Sequence, residues 1–287
     1  MIEKVSINNR SKVKNKNNEL TCIGPVSELE EYVKKDWWKR IFNAYYLKTD
    51  GDVVEDQKIT STEVDFFSGI LDLRIDHRIL DLCCGQGRHT IELNERGFNK
   101  VEGLDRSRYL IQKAKSIVRK KGLVCKFREG DARKVPYQND EFDRVLILGN
   151  SFGYFESIND DIKVLKEVFR ILKPWGRILI DLTDGVYVKN NFQTRSWEWI
   201  DKEYFVCRER ALSADEQRLI SREVITHVNK GVLVDQFYAE RLYSQEQIKN
   251  LLTRVGFSDV EFHGTITPES QRNQDLGMME QRIIVTA

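Results

Sequence analysis

Residues 79–105 read ILDLCCGQGRHTIELNERGFNKVEGLD. An apolar run reaches an acid at Asp81, and a turn of small residues follows (Cys83, Cys84, Gly85, Gln86, Gly87). A helical run comes next, and a second apolar run closes on Asp105. Strand, glycine turn, helix and acid-terminated strand is how an α/β sheet builds a nucleotide pocket at its carboxyl edge. Glycines 85 and 87 let the backbone turn sharply and approach a ligand, and the helix that follows starts with its amide groups toward it. A dinucleotide fingerprint would need a third glycine at position 90, where this chain has Thr90. That argues against NAD.

Outward from this stretch the alternation continues. Strands are expected over 78–83, 100–104, 124–128, 142–148 and 176–182, with helices over 87–96, 107–121 and 159–172. Strands separated by helical runs give right-handed parallel crossovers and a Rossmann-like, doubly wound α/β sheet. Lys173, Pro174, Trp175 and Gly176 stop the last of these helices, because proline cannot continue it and glycine permits the turn. Beyond 184, three strand-like runs (196–212, 217–228 and 232–243) lie without helices between them and predict an inserted antiparallel β region. A helix over 244–255, a strand near Val260 and a last strand over 282–286 complete the sheet.

Before the nucleotide pattern, Ser27 followed by Glu30 reads as a helix cap, and Leu29, Val33, Trp37, Ile41 and Tyr45 recur at helical spacing. A helix over 27–48 and a second over 61–73 make an N-terminal helical cap. Its aromatic cluster (Trp37, Trp38, Phe42, Tyr45, Tyr46) either packs cap against core or lines a site. The expected organisation is a basic tail over 1–20, the cap over 21–75, the core over 76–185 and 244–287, and over 186–243 the β insert, a lid or substrate region. The tail, rich in Lys and Asn, reads as a loose terminus or as a basic arm for an anionic partner.

Three acids end three successive strand units. Asp105 can reach a ribose at the sheet edge, where each charge-assisted hydrogen bond contributes about 1.5–3 kcal/mol; its other reading is the cap of the next helix. Asp131, in the run EGDA over 129–132, can accept from an exocyclic adenine amine while the backbone near Ala132 meets a ring nitrogen. The fourth strand opens on Gly149, Asn150, Ser151, Phe152, Gly153 and Tyr154, where the edge would present groups to the reacting centre. Arg88, always charged, is the better anion contact at the helix start, and His89 is a capping or solvent-facing residue or a general base. Cys83 and Cys84 read as packing residues.

The combination LDLCCGQGRHT, GLD, EGDA, FDRVLIL and LKPWGRILIDL resembles the class I S-adenosylmethionine-dependent methyltransferases over residues 76–184 and 244–287. The resemblance implies a seven-stranded sheet in the order 3-2-1-4-5-7-6 with strand 7 antiparallel, and S-adenosylmethionine as donor without a metal. It assigns the methionine end to the first strand and its loop (Asp81, Cys83, Gly85, Gly87, Arg88), the ribose to Asp105 with Arg106, and adenine to Asp131 with Ala132. Asn150 adjoins the donor and, with Tyr46 and Tyr154, is a candidate catalytic residue. Two departures stand out: Cys83 occupies the family's first loop glycine, and NSFGY over 150–154 replaces the Asn/Asp-Pro-Pro-Tyr/Phe loop of base-amine methylases. Methyl transfer is the family's common outcome. Transfer of the 3-amino-3-carboxypropyl group, as by the microcin C maturation protein that acts on a peptidyl nucleotide, is the alternative, and a non-catalytic donor-binding module a weaker one.

Composition sets the remaining bounds. With 46 basic and 45 acidic side chains in 287 residues the formal charge is +1, so no overall field favours nucleic acid or an anionic membrane. The chain has no run long enough for a membrane span and no apolar leader, which predicts a soluble cytoplasmic protein. Five cysteines without CxxC spacing read as reduced thiols, and no metal site is expected. The expected partner is a small-molecule or peptide acceptor, and the aminocarboxypropyl alternative implies antibiotic biosynthesis.

Overall fold

A computed structural model describes residues 23–264, 266 and 281–287. The expected tail over 1–20, and Cys22, lie outside the described residues. The entry segment leads through α1 (Ala44–Thr49), α2 (Gly51–Val54) and α3 (Gln57–Ile70) into β1 (Ile79–Leu82), α4 (Arg88–Glu95), β2 (Val101–Asp105), α5 (Arg108–Lys121) and β3 (Lys126–Glu129). Then come β4 (Phe142–Ile147), α6 (Ile158–Ile171), β5 (Leu172–Thr183) and α7 (Gly185–Asn191). An insert of β6 (Arg195–Trp199), β7 (Tyr204–Leu212), β8 (Arg218–His227) and β9 (Gly231–Arg241) precedes α8 (Gln245–Val255), β10 (Glu261–His263) and β11 (Arg282–Thr286).

Among the described residues the main sheet has seven strands in the order β10-β11-β5-β4-β1-β2-β3, with β1 to β5 parallel and β11 antiparallel to β5. This is the order expected. β1 is buried along its whole length, as a strand covered on both faces must be. Leu165, Val168, Ile248 and Leu252 of α6 and α8 fill one face, while Val64, Phe67, Leu93 and Ile111 of α3, α4 and α5 fill the other. Local chemistry sets the helix ends: the Ser107 hydroxyl accepts from the Leu110 amide at 3.2 Å, and Gly122 closes α5 at φ 66°.

Two expectations change. The helix over 27–48 is replaced by single turns at Leu29–Tyr32 and Trp37–Lys39 followed by the short α1. Its apolar residues face several partners and not one stripe. Leu29 packs on Ile220 and Ala239, Tyr32 stacks on Phe237 at 5.1 Å, and the rings of Trp37 and Tyr238 lie 5.7 Å apart. Those contacts with the insert outweigh helical periodicity. The insert, for its part, has four strands and not three, ordered β6-β7-β8-β9. Asp201 accepts from the amides of Glu203 at 2.8 Å and Tyr204 at 2.9 Å, a side-chain turn that splits the first expected strand.

Beneath the carboxyl edge lies a buried ion cluster. Arg282 donates to Asp181 through Nε at 2.6 Å and to Glu63 through Nη1 at 2.7 Å, with all three side chains inaccessible. The other oxygen of Glu63 meets Arg88 at 2.5 Å and His89 at 2.9 Å. Burial works to raise the Glu63 carboxyl, but Arg88, His89 and Arg282 hold it well below the usual carboxylate range. Removing one partner strands buried charge. Arg282→Ala is therefore expected to lower stability by about 3–5 kcal/mol, read as a fall in the urea midpoint at constant slope; an unchanged midpoint would deny the cluster its structural role.

Candidate functional site

At the carboxyl edge of β1, β2 and β4 a cavity of about 280 Å³ opens between the main sheet, the entry segment and the insert. Of the residues expected at a site, Tyr46, Asp81, Cys83, Gly85, Arg88, Asp105, Arg106, Asp131, Ala132, Asn150 and Tyr154 all lie on its wall. Gly87 does not. It precedes α4 at φ 78°, and a Cβ there would come within 2.4 Å of the Phe127 ring, so it sets the turn from below.

The turn explains the cysteine in the glycine position. Cys83 adopts φ 66°, a left-handed conformation that costs an L-residue roughly 1–2 kcal/mol. Burial pushes both the Cys83 and Cys84 thiols well up, which suits packing and not nucleophilic attack. Below them, Asp81 is buried and accepts from the Thr90 hydroxyl at 2.7 Å, so the residue that stands where a dinucleotide site has glycine anchors the first acid.

Asp105 does not cap α5; Ser107 does. Instead one Asp105 oxygen accepts from the Ser107 amide at 2.6 Å and the other from the Gly85 amide at 2.9 Å. A carboxylate has about four acceptor sites; with the amides of Ser107, Gly85 and Arg106 bearing on it, Asp105 keeps acceptor capacity for a ligand. Burial, outweighing those amides, pushes its carboxyl up to about 6. Asp131 accepts from the Arg133 amide and Nε, both at 3.0 Å, and from Nη2 at 2.7 Å. Burial would raise its carboxyl, but Arg133 holds it below its ordinary value. Arg133 itself lies over the rings of Trp38 and Phe155, at 5.2 and 4.5 Å. Arg88 is claimed by Glu63 and by Thr60, to which it donates at 3.1 Å, and Arg106 pairs with Glu129 at 3.1 Å.

On the opposite wall, Asn150 is a clasp. Its φ is 57°, its side-chain oxygen accepts from the Thr183 amide at 3.0 Å, and its Nδ2 donates to Glu240 at 3.0 Å. With both ends engaged, Asn150 positions β5 and β9. The loop beyond it is stapled to β9, because the Arg241 amide donates to the Gly153 carbonyl at 2.9 Å and its guanidinium to the Glu156 carbonyl at 2.7 Å. Tyr154 is thereby pressed onto Phe42, with centroids 5.7 Å apart, and Phe42 meets Tyr46 edge-on at 5.2 Å. Burial pushes the Tyr46 and Tyr154 hydroxyls well up, so both are neutral donors.

Sequence reasoning assigned the insert a substrate role but singled out none of its residues. Arg208, Arg210, Ser221, Glu223, Gln236, Tyr238 and Glu240 line the cavity from β7, β8 and β9. Arg208 donates to Glu223 at 2.9 Å and Glu198 at 2.7 Å, and Gln236 donates to Glu223 at 2.9 Å. Asp50, held by the Thr49 hydroxyl at 2.6 Å, joins them from the end of α1. The signal was present as period-two alternation, but a polar face at that period reads as facing water when it faces a cavity. If Cys83 serves only the turn, Cys83→Gly keeps full affinity for S-adenosylhomocysteine in calorimetry, while Cys83→Val, β-branched at positive φ, loses stability; a Gly variant without affinity would give the thiol a direct role.

Residues 74–256 match the family model described as a methyltransferase domain. The putative methyltransferase YqeM of Bacillus subtilis is 30% identical over 183 residues, covering 63% of this chain and 73% of its own length. A glycine/sarcosine N-methyltransferase of Aphanothece halophytica is 27% identical over 209 residues, covering 71% of this chain and 75% of its own. An S-adenosylmethionine-dependent methyltransferase from Clostridium acetobutylicum shares the fold at a TM-score of 0.66 and 21% identity, over 84% of this chain and 95% of that one. With a methyltransferase model spanning most of its length and this edge geometry beneath it, the chain belongs to the methyltransferase domain family, within the class I S-adenosylmethionine-dependent superfamily.

Proposed function

We propose that the protein transfers a methyl group from S-adenosylmethionine to a small-molecule acceptor held between the insert and the aromatic entry segment. The observation that carries this reading is the division of one cavity into two chemically distinct walls. Along β1 to β3, Asp105 and Asp131 line the cavity and keep acceptor capacity that suits a ribose and an adenine amine. Gly85 and the α4 amino end suit the methionine end, with Arg88 beside them. Across the cavity, Tyr46, Tyr154 and Tyr238 with Glu223 and Glu240 form a wall that the donor's needs do not explain.

The donor supplies a methyl carbon already activated by its sulfonium. What the chain must add is alignment of the acceptor with that carbon, and orientation of this kind contributes about 7–11 kcal/mol. The Phe42, Tyr46 and Tyr154 faces add roughly 0.5–2 kcal/mol for a cation near them. A small acceptor is favoured because the entry segment, the loop at Tyr154 and β9 close on one another through Trp37, which meets Tyr154 at 5.2 Å. The glycine/sarcosine relative, named for small acceptors, agrees. Transfer of the 3-amino-3-carboxypropyl group to a peptidyl nucleotide, and a donor-sensing module without turnover, have no support in the family model or in the relatives above.

Mass analysis of acceptors incubated with protein and donor tests the reaction: a gain of one methyl is expected, and a gain of the aminocarboxypropyl group or of nothing contradicts it. Asp105→Ala should weaken donor binding at least about tenfold, the equivalent of 1.4 kcal/mol; unchanged affinity removes Asp105 from the ribose role. Because the Asp105 carboxyl sits at about 6, its accepting, ionised form is complete above that pH. Donor affinity should hold from neutral pH upward and weaken as pH falls through 6, and a flat profile would contradict the assignment. Tyr46→Phe with Tyr154→Phe should lower turnover more than donor affinity.

A further inference from the structure

The acceptor wall has a charge problem. Asp50, Glu223 and Glu240 line it with Arg208 and Arg210, and Arg208 is shared with a further carboxylate, Glu198, so four carboxylates stand against two guanidiniums. Arg208 is divided between Glu198 and Glu223, and Arg210 donates to the Gln193 carbonyl and the Ser196 hydroxyl, each at 3.2 Å. Glu240 receives only the neutral Asn150 amide on Oε1, and its Oε2 accepts no hydrogen bond among the described residues. Carboxylates left short of counter-charge in a cavity favour a cationic ligand. Around them stand Trp37, Phe42, Tyr46, Tyr154 and Tyr238, whose rings touch in sequence at 5.2 to 6.5 Å. Aromatic faces beside anionic groups are the surroundings that hold an ammonium.

Resting on the methyl-transfer reading above, we infer that the acceptor is a primary or secondary amine that enters as its ammonium ion, and that Glu240 takes the proton that makes its nitrogen nucleophilic. The ammonium passes one proton to Glu240 and recovers its lone pair. The nitrogen then bonds to the methyl carbon as the bond from that carbon to the donor's sulfur breaks, the electron pair leaving with sulfur. The product departs as the N-methylated ammonium, and Glu240 returns its proton to water. Burial first, with Asp50 adding to it and Arg210 opposing, pushes the Glu240 carboxyl up to about 7, a value suited to a base at neutral pH. The groups that face it are Arg210 on β7, Asp50 after α1, Asn150 and Tyr154 on the loop after β4, and Tyr238 on its own strand.

The test uses the whole chain saturated with S-adenosylhomocysteine and matched probes that differ only by amine for hydroxyl: amino sugars against their parent sugars, ethanolamine against ethylene glycol, and glycine against glycolate. Calorimetry is expected to show at least one amine bound about tenfold tighter than its counterpart. Glu240→Gln, which keeps an acceptor for Asn150, should erase that preference while S-adenosylhomocysteine affinity stays unchanged. No amine preference in the native protein overturns the inference, as does a preference that survives Glu240→Gln. Should the variant not fold, the native protein still decides: amine methylation should rise with pH and level near 7, whereas a rate that climbs on to the amine's own pKa excludes Glu240. Methylation of a hydroxyl or carbon acceptor by the same panel would remove the amine and leave methyl transfer standing.

Discussion

Arg282 sits fully buried between Asp181 and Glu63, and the two ends of the cavity depend on that placement. Through Glu63 it reaches Arg88 and His89 at the start of α4, and so fixes the floor of the glycine turn. Through Asp181 it reaches the loop after β4, because the Gly149 amide donates to the Asp181 carboxylate at 2.9 Å and the Asn150 amide to its carbonyl at 3.1 Å. Asn150 then holds Glu240. A desolvated ion cluster of this kind adds little net stability over an apolar core, but it tolerates few alternative geometries. It links the glycine turn and the loop after β4 in one edge.

That linkage matches the demand of the proposed methyl transfer. Displacement at an activated carbon asks for alignment more than for acid or base strength. Tyr32 and Trp37 of the entry segment pack on Phe237 and Tyr238 of the insert, so the cover of the cavity leans on the insert. Arg241 strengthens this coupling by tying β9 to the loop that carries Tyr154.

The core was legible because its signals are local. Apolar runs of strand length, a glycine turn, serine caps and terminal acids each report their own conformation within a few residues, and β1, β2, α5 and the strand order follow from them. The places of Asp105 and Asp131 on the cavity wall were legible for the same reason. The entry segment was not, because its spacing satisfied a helix while its packing partners lay about two hundred positions away. Glu30 shows the distance: it reaches Arg218 at 2.5 Å across 188 residues. Glu63 and Arg282, 219 positions apart, were equally hidden. Glu240 escaped for a different reason, since polar alternation on a strand carries the same pattern whether it meets water or a substrate cavity.

Co-crystallisation with S-adenosylhomocysteine bears most directly on the account. Its ribose hydroxyls are predicted to meet the Asp105 carboxylate, its adenine amine the remaining site of Asp131, and its sulfur to face Tyr154 and Glu240 across the acceptor space. A ligand bound with its ribose away from Asp105, or with its sulfur turned from the insert, would contradict it.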